Sequence, residues 1–192
     1  EETARIAVEA SLTGHLVLST LHTNSAPESI TRLLEIGLDP FNFSDSLLAI
    51  LAQRLVRRLC THCREPRFAS DEELDTMACH HLGVSASADV QRRASLVSRW
   101  RTRYGATDGR IVLYRSQGCD HCDAHGYHGR LGIHELMVAD DAVRTHIRHR
   151  ECASVLQADA LASGMNTLRQ DGIEKVLAGL TDLQEVLAAT NA

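Results

Sequence analysis

Aromatic residues are scarce in this sequence: three Phe, three Tyr and one Trp among 192 residues. A core built from this inventory must rest on Leu, Val, Ile and Ala, and an apolar share of 44% is enough to build one. Runs of eighteen apolar residues are absent, which excludes a membrane-spanning helix. No signal peptide is read either, so the chain is expected to be soluble and cytosolic. Charge of one sign is also lacking. The net charge of −5 offers no broad attraction to nucleic acid or to an anionic membrane. Internal repeats and low-complexity tracts are missing. So is an initiating methionine: the chain opens Glu1-Glu2-Thr3 inside a helix-like pattern, and reads as the C-terminal part of something longer.

Cysteine, by contrast, is present in a pattern. Cys60 and Cys63 form one Cys-x-x-Cys pair, and Cys119 and Cys122 form another. Two such knuckles can offer four thiolates to one tetrahedral zinc. Residues 64–118 stand between them, and closing a loop of that length costs roughly 3–4 kcal/mol. Structural zinc supplies about 10–16 kcal/mol in small metal-folded domains. The metal outweighs the loop. Disulfides and a redox dithiol are the competing readings. The first suits small secreted chains, and the second a βαβ setting that neither pair has. Cys152 falls on a helical pattern and is expected to be buried. Cys79 precedes His80 and His81, where a second metal site is conceivable.

Along the chain, residues 3–11 are helix-compatible. His15 to Leu21 is almost wholly apolar or β-branched and predicts a short buried strand, with His15 and His22 at its ends. Ser25 and Pro27 begin a helix and Gly37 ends it. Ser44 or Asp45 is expected to cap a further helix whose stripe is Leu47, Leu48, Leu51, Leu55 and Leu59, with Arg54, Arg57 and Arg58 on its polar side. Residues 65–118 are more polar and lack a sustained period; short helices fit 71–82 and 88–101, and a strand fits 111–114. Extended chain is predicted over 132–137. Helices follow over 140–149, 151–163, 167–178 and 182–189, the last opened by a Thr181–Gln184 capping box.

Four segments together resemble one family. Leu12-Thr-Gly-His-Leu-Val-Leu-Ser-Thr-Leu-His-Thr-Asn24 looks like the histidine box of the secretion ATPase superfamily. Ala52-Gln-Arg-Leu-Val-Arg-Arg-Leu-Cys60, followed by the two knuckles, resembles the assembly ATPases of type II secretion and type IV pili. Gly126 to Leu136 and Asp171 to Leu180 match their C-terminal segments. The resemblance is clear over 1–64 and 114–190 and weak over 65–113, where a longer insertion than usual is expected.

The resemblance implies an α/β fold: the C-terminal part of a RecA-like P-loop ATPase core, an inserted four-cysteine zinc module and a C-terminal helical bundle. The implied boundaries are 1–59, 60–125 and 126–192. It implies a hexameric ATPase that uses ATP and magnesium to move an inner-membrane platform protein. Its partners would be further copies of itself, that platform and assembly proteins at the cytoplasmic face. The chain would then be cytoplasmic and held at the inner membrane through partners. The family's phosphate-binding loop and acidic segments would lie before residue 1, so this stretch alone is expected neither to bind ATP tightly nor to hydrolyse it.

By position alone, His15 and His22 read as structural hydrogen-bonders at strand ends; the resemblance makes them candidate γ-phosphate sensors or holders of the catalytic water. Arg54 and Arg57 have the same double reading. They fit a solvated basic face, or, by resemblance, guanidiniums that stabilise phosphate across a subunit boundary. Cys60, Cys63, Cys119 and Cys122 are expected to be structural ligands, since four thiolates leave no open position. The glycine before Cys119 and nearby basic residues would offset the charge of a zinc tetrathiolate. His62, His121 and His125 lie beside the ligands without being needed as ligands. Arg92, Arg93, Arg99, Arg101 and Arg103 near Trp100 suit a surface helix more than a nucleic-acid site. A zinc-stabilised binding module without catalysis is the alternative, though such a module has no need of the histidine segment.

Overall fold

The computed structural model describes residues 2–83 and 87–190. In chain order the elements are α1 (Glu2–Leu12), α2 (Ala26–Glu35), α3 (Pro40–Ser46), β1 (Ala49–Leu59), β2 (Glu65–Phe68), α4 (Asp71–Leu82) and α5 (Val90–Tyr104). There follow β3 (Val112–Arg115), a 3-10 turn (Asp120–Cys122), β4 (Tyr127–Val138), α6 (Asp141–Arg148), α7 (Ala153–Ala162), α8 (Leu168–Leu177) and α9 (Leu183–Thr190). Among the described residues β1 pairs with β4 and β2 with β3. Two compact units result, each assembled from separate stretches. The first holds residues up to Ala52 and His134–Thr167, the second Gln53–Ile133 and the chain from Leu168. Mixed α/β content is therefore present.

The first unit is set by its helix caps. Ser25 Oγ accepts the Glu28 N–H at 3.3 Å, and Asp39 Oδ1 accepts the Asn42 N–H at 2.9 Å, so each helix begins where a short polar side chain replaces a missing carbonyl. Asp39, rather than Ser44 or Asp45, is thus the cap in this region. Ile30 and Leu34 pack with Phe43, Met137, Val143, Ile147 and Leu156 in one core. Arg144 closes the far end of α3. Its guanidinium donates to the carbonyls of Ser44 at 2.6 Å and Leu47 at 3.0 Å, while Nε donates to Ala139 O at 2.9 Å. Orphan carbonyls at a helix end need such partners, and a cation there also suits the helix dipole.

The second unit has its own core, made of Leu74, Met77, Leu96, Trp100, Ile173, Val176 and Val186 from α4, α5, α8 and α9. α4 starts with a reciprocal capping box between Ser70 and Glu73. Gly172 lets α8 and α9 close up, because a Cβ there would lie 2.5 Å from Val186. β2 and β3 are antiparallel, with Glu65 opposite Arg115 and Phe68 opposite Val112. Asp182, not Thr181, caps α9 by accepting the Glu185 N–H at 3.1 Å; Thr181 Oγ1 instead donates to Arg57 O at 2.8 Å.

Inside this unit His81 meets Trp100 edge to face at 5.5 Å, and among the described residues neither His81 Nδ1 nor the Trp100 indole nitrogen has a hydrogen-bond partner. Burial lowers the His81 pKa below its ordinary 6.5, with nearby Glu174 opposing and Arg99 reinforcing the shift. The unfolded chain then takes this proton more readily than the folded one. His81 contributes stability that is complete above pH 6.5 and is lost as pH falls below it. Thermal unfolding followed by circular dichroism between pH 7.5 and 5.5 should show a smaller acid-side drop for His81→Phe than for the unsubstituted chain. Equal drops would contradict the assignment.

Three expectations are corrected. The segment predicted as a helix over 47–59 is strand β1. Its half-buried and buried positions alternate through Ile50, Ala52, Arg54 and Val56, while Leu51 and Leu55 are 58% and 52% exposed. Pairing with β4 supplies the backbone partners a helix would have supplied internally, and the leucine spacing carries no weight against it. Arg54 and Arg57 consequently do not share a helix face; they lie at positions of opposite parity on a strand. Residues 15–23 form neither strand nor helix, and Leu16 and Leu18 are 75% and 89% exposed rather than buried. No strand among the described residues pairs with this stretch, and an apolar segment without a ladder partner has no reason to become a strand. Cys152 is exposed at the start of α7 instead of buried.

Candidate metal centre and the histidine and arginine positions

Each knuckle is a tight turn that turns two sulfurs to one side. In the first, the N–H groups of Cys63 and Arg64 donate to Cys60 O at 3.3 and 2.9 Å. In the second, the N–H groups of Cys122 and Ala124 donate to Cys119 O at 3.1 and 3.0 Å, which forces Asp123 and Ala124 into the left-handed region. Gly118, at φ 102°, permits the approach: a Cβ there would sit 2.4 Å from Ala124 O. Cys60 N–H also donates to Gly126 O at 3.0 Å, so the two turns are joined through backbone as well as through sulfur.

The four sulfurs all lie within 4.8 Å of one another. Cys60 and Cys119 are 3.9 Å apart, Cys63 and Cys122 3.7 Å, and Cys119 and Cys122 3.8 Å. A tetrahedron with metal–sulfur bonds of about 2.3 Å has edges of about 3.8 Å. A disulfide requires about 2.05 Å, and none of the four is in one. The N–H groups of Cys119 and Gly126 point at Cys122 Sγ at 3.3 and 3.2 Å. Burial pushes the Cys122 thiol up, but these donors outweigh it and bring its pKa down to about 7, whereas burial pushes Cys119 up to about 12. The donors expected from the glycine before Cys119 thus come from Cys119 itself and from Gly126. The cage can hold one metal ion, has no open coordination position, and suits structure rather than catalysis. His62 and His121, one on each knuckle, stack face to face with centroids 4.0 Å apart and planes 14° from parallel, beside the cage rather than in it. Cys79, His80 and His81 lie on α4; among the described residues the four-cysteine group is the one cluster of metal-binding geometry.

His15 and His22 lie in the first unit. His15 Nδ1 is 3.2 Å from Ala10 O and 3.1 Å from Thr13 Oγ1, which ties the ring to the end of α1. His22 is exposed, three residues before the Ser25 cap of α2. Arg54 and Arg57 lie in the second. Arg54 is half-buried on β1. Arg57 is exposed but engaged: Nη2 donates to Glu185 Oε1 at 2.5 Å, its backbone N–H donates to Glu185 Oε2 at 3.1 Å, and its guanidinium lies over the Tyr127 ring at 4.2 Å. The hydrogen bond to Glu185 raises the Arg57 pKa further and lowers that of Glu185. One residue that sequence reasoning passed over is Glu135. It is 2% exposed on β4, where alternation gave only the expectation of extended chain.

With this geometry in view, the similarities to known proteins fall into place. Residues 1–188 match the family described as type II/IV secretion system protein. The chain belongs to that family. It is 45% identical over 189 residues to the type IV pilus assembly ATPase PilB of Thermus thermophilus, covering 98% of this chain and 19% of that protein. It is 47% identical over 189 residues to type II secretion system protein E of Dickeya dadantii, and 42% identical to the type II secretion system ATPase E of Vibrio cholerae; each match covers 98% of this chain and 32% of the relative. The chain therefore spans about a fifth to a third of the length of these relatives, and the matches run through the 65–113 segment. No helix among the described residues is long and apolar enough to cross a membrane.

Proposed function

We propose that this chain is the C-terminal part of a hexameric ATPase that powers type II secretion or type IV pilus assembly, acting from the cytoplasmic side on an inner-membrane platform protein. The observation that carries this reading is the match across 98% of the chain to relatives named as ATPases of these two machines. Residues 1–59 would close a RecA-like nucleotide core, 60–125 would form a zinc module, and 126–192 a helical subdomain. Cys60, Cys63, Cys119 and Cys122 would hold one zinc, which supplies cross-linking and no chemistry. His22 and His15 would face the nucleotide edge, and Arg54 and Arg57 would face phosphate, Arg57 only after leaving Glu185. Net charge of −5 supports no nucleic-acid role.

The chain by itself lacks a glycine-rich phosphate-binding loop of the Gly-x-x-x-x-Gly-Lys-Ser/Thr kind. The purified 192-residue chain is expected to show no ATP turnover, while the longer polypeptide that contains it turns over at the expense of magnesium-bound ATP. Phosphate release measured on both decides the matter. Turnover by the short chain, or none by the long one, would refute the reading.

A further inference from the structure

We propose that Glu135 is a positioning residue for His22: its carboxylate fixes the first turn of α2, and through it the turn that carries the imidazole. This rests on the ATPase reading above for its kinetic consequence but not for its geometry. Glu135 sits on β4 between Ile133 and Met137, at the same inward register as these two, which are 0% and 1% exposed. A carboxylate at a position the strand otherwise fills with apolar side chains is costly, and a hydrophobic residue of similar volume would pack there at less expense.

Glu135 Oε1 accepts the N–H of Ala26 at 2.7 Å across 109 residues of sequence. Ala26 is the first residue of α2, where the backbone N–H has no partner within the helix and the helix dipole favours a negative charge. The chain just before it has no secondary structure from His15 to Thr23, so nothing periodic fixes His22. Its position is decided by what holds residues 23–26. Thr23 Oγ1 and the buried Ser29 Oγ are 2.5 Å apart, and the Asn24 N–H donates to Glu28 Oε2 at 3.3 Å. These bonds tie the turn to α2. Glu135 ties it to β4, so the imidazole is referenced to that strand and not only to its own helix.

The test has two readouts. In the longer polypeptide, Glu135→Leu should lower kcat for ATP by about tenfold to a hundredfold with KM within about twofold, the pattern of a misplaced rather than a missing group. Glu135→Gln keeps an acceptor oxygen at the same reach and should hold kcat within about threefold. In the isotope-labelled 192-residue chain, E135Q should move both the Ala26 amide and the His22 ring resonances, because the charge behind that bond is gone. Unchanged kcat in Glu135→Leu, an equal loss in the Gln variant, or an unmoved His22 ring would each overturn the proposal. Should the Leu variant fail to fold, the resonances of E135Q decide alone. If the unsubstituted longer protein does not hydrolyse ATP, the ATPase reading falls by itself, and the coupling of residue 135 to His22 is still read in the spectra.

Discussion

One zinc ion per polypeptide is expected in the purified chain, and Cys122→Ser is expected to lose it together with the folded state of the unit that carries the cage. The size of the effect follows from two scales. A whole domain is stable by about 5–15 kcal/mol. Structural zinc in small metal-folded domains contributes about 10–16 kcal/mol. Losing the ion thus removes as much as the unit has to spare, even though its second core around Trp100 and Ile173 adds apolar burial. Cys122 is the most informative ligand to replace, since its sulfur receives the N–H groups of Cys119 and Gly126 and a serine leaves those donors badly placed. Cys152→Ser is the control, being exposed and outside the cage. Elemental analysis for metal and circular dichroism with and without chelator supply the measurement. A chain that folds without metal and ignores chelator would dispose of the zinc assignment.

The second large effect is expected at His22. In the longer polypeptide, His22→Ala should lower kcat by about a hundredfold to a thousandfold, the range for removing one group that stabilises developing charge. Its exposure makes the experiment clean. Nothing in the core depends on this ring, so the melting temperature of the variant should match that of the unsubstituted protein, and a kinetic loss then reports chemistry. Arg57→Ala is a poorer probe. It also strips a partner from Glu185, whose side chain is 15% exposed, and from the Tyr127 ring, so stability and turnover would fall together. Full activity in His22→Ala would remove the histidine from the mechanism.

The cage was legible because its information is local. Two residues between cysteines fix a turn, and two such turns need only meet. Helix starts were legible for the same reason, Ser25 before α2 and Pro27 in its first turn being a signal contained in three residues. β1 was not. Its leucines at 47, 48, 51, 55 and 59 fit a helical stripe, but what decides the conformation is a partner strand about eighty residues away, and short apolar runs do not distinguish the two states. The stretch from His15 failed in the opposite sense. It has strand composition without a strand to pair with among the described residues, and composition alone cannot make a ladder. Glu135 had no signal at all. A single acidic residue in an extended segment reads as one of the strand's outward positions, and only the meeting with Ala26 shows otherwise.

The ends of residues 64–118 are held together twice, by four sulfurs and by the ladder from Glu65–Arg115 to Phe68–Val112. What lies between is therefore anchored at its base, whatever its length. This makes the tip of the segment the place where the chain can vary most freely. An insertion there doubles the span for only about 0.6 kcal/mol. A nick there leaves two pieces still fastened to each other. Grafted tags or reporters are best accommodated between α4 and α5, outside the helices that supply Leu74, Met77, Leu96 and Trp100 to the core, where added chain leaves the cage as it is.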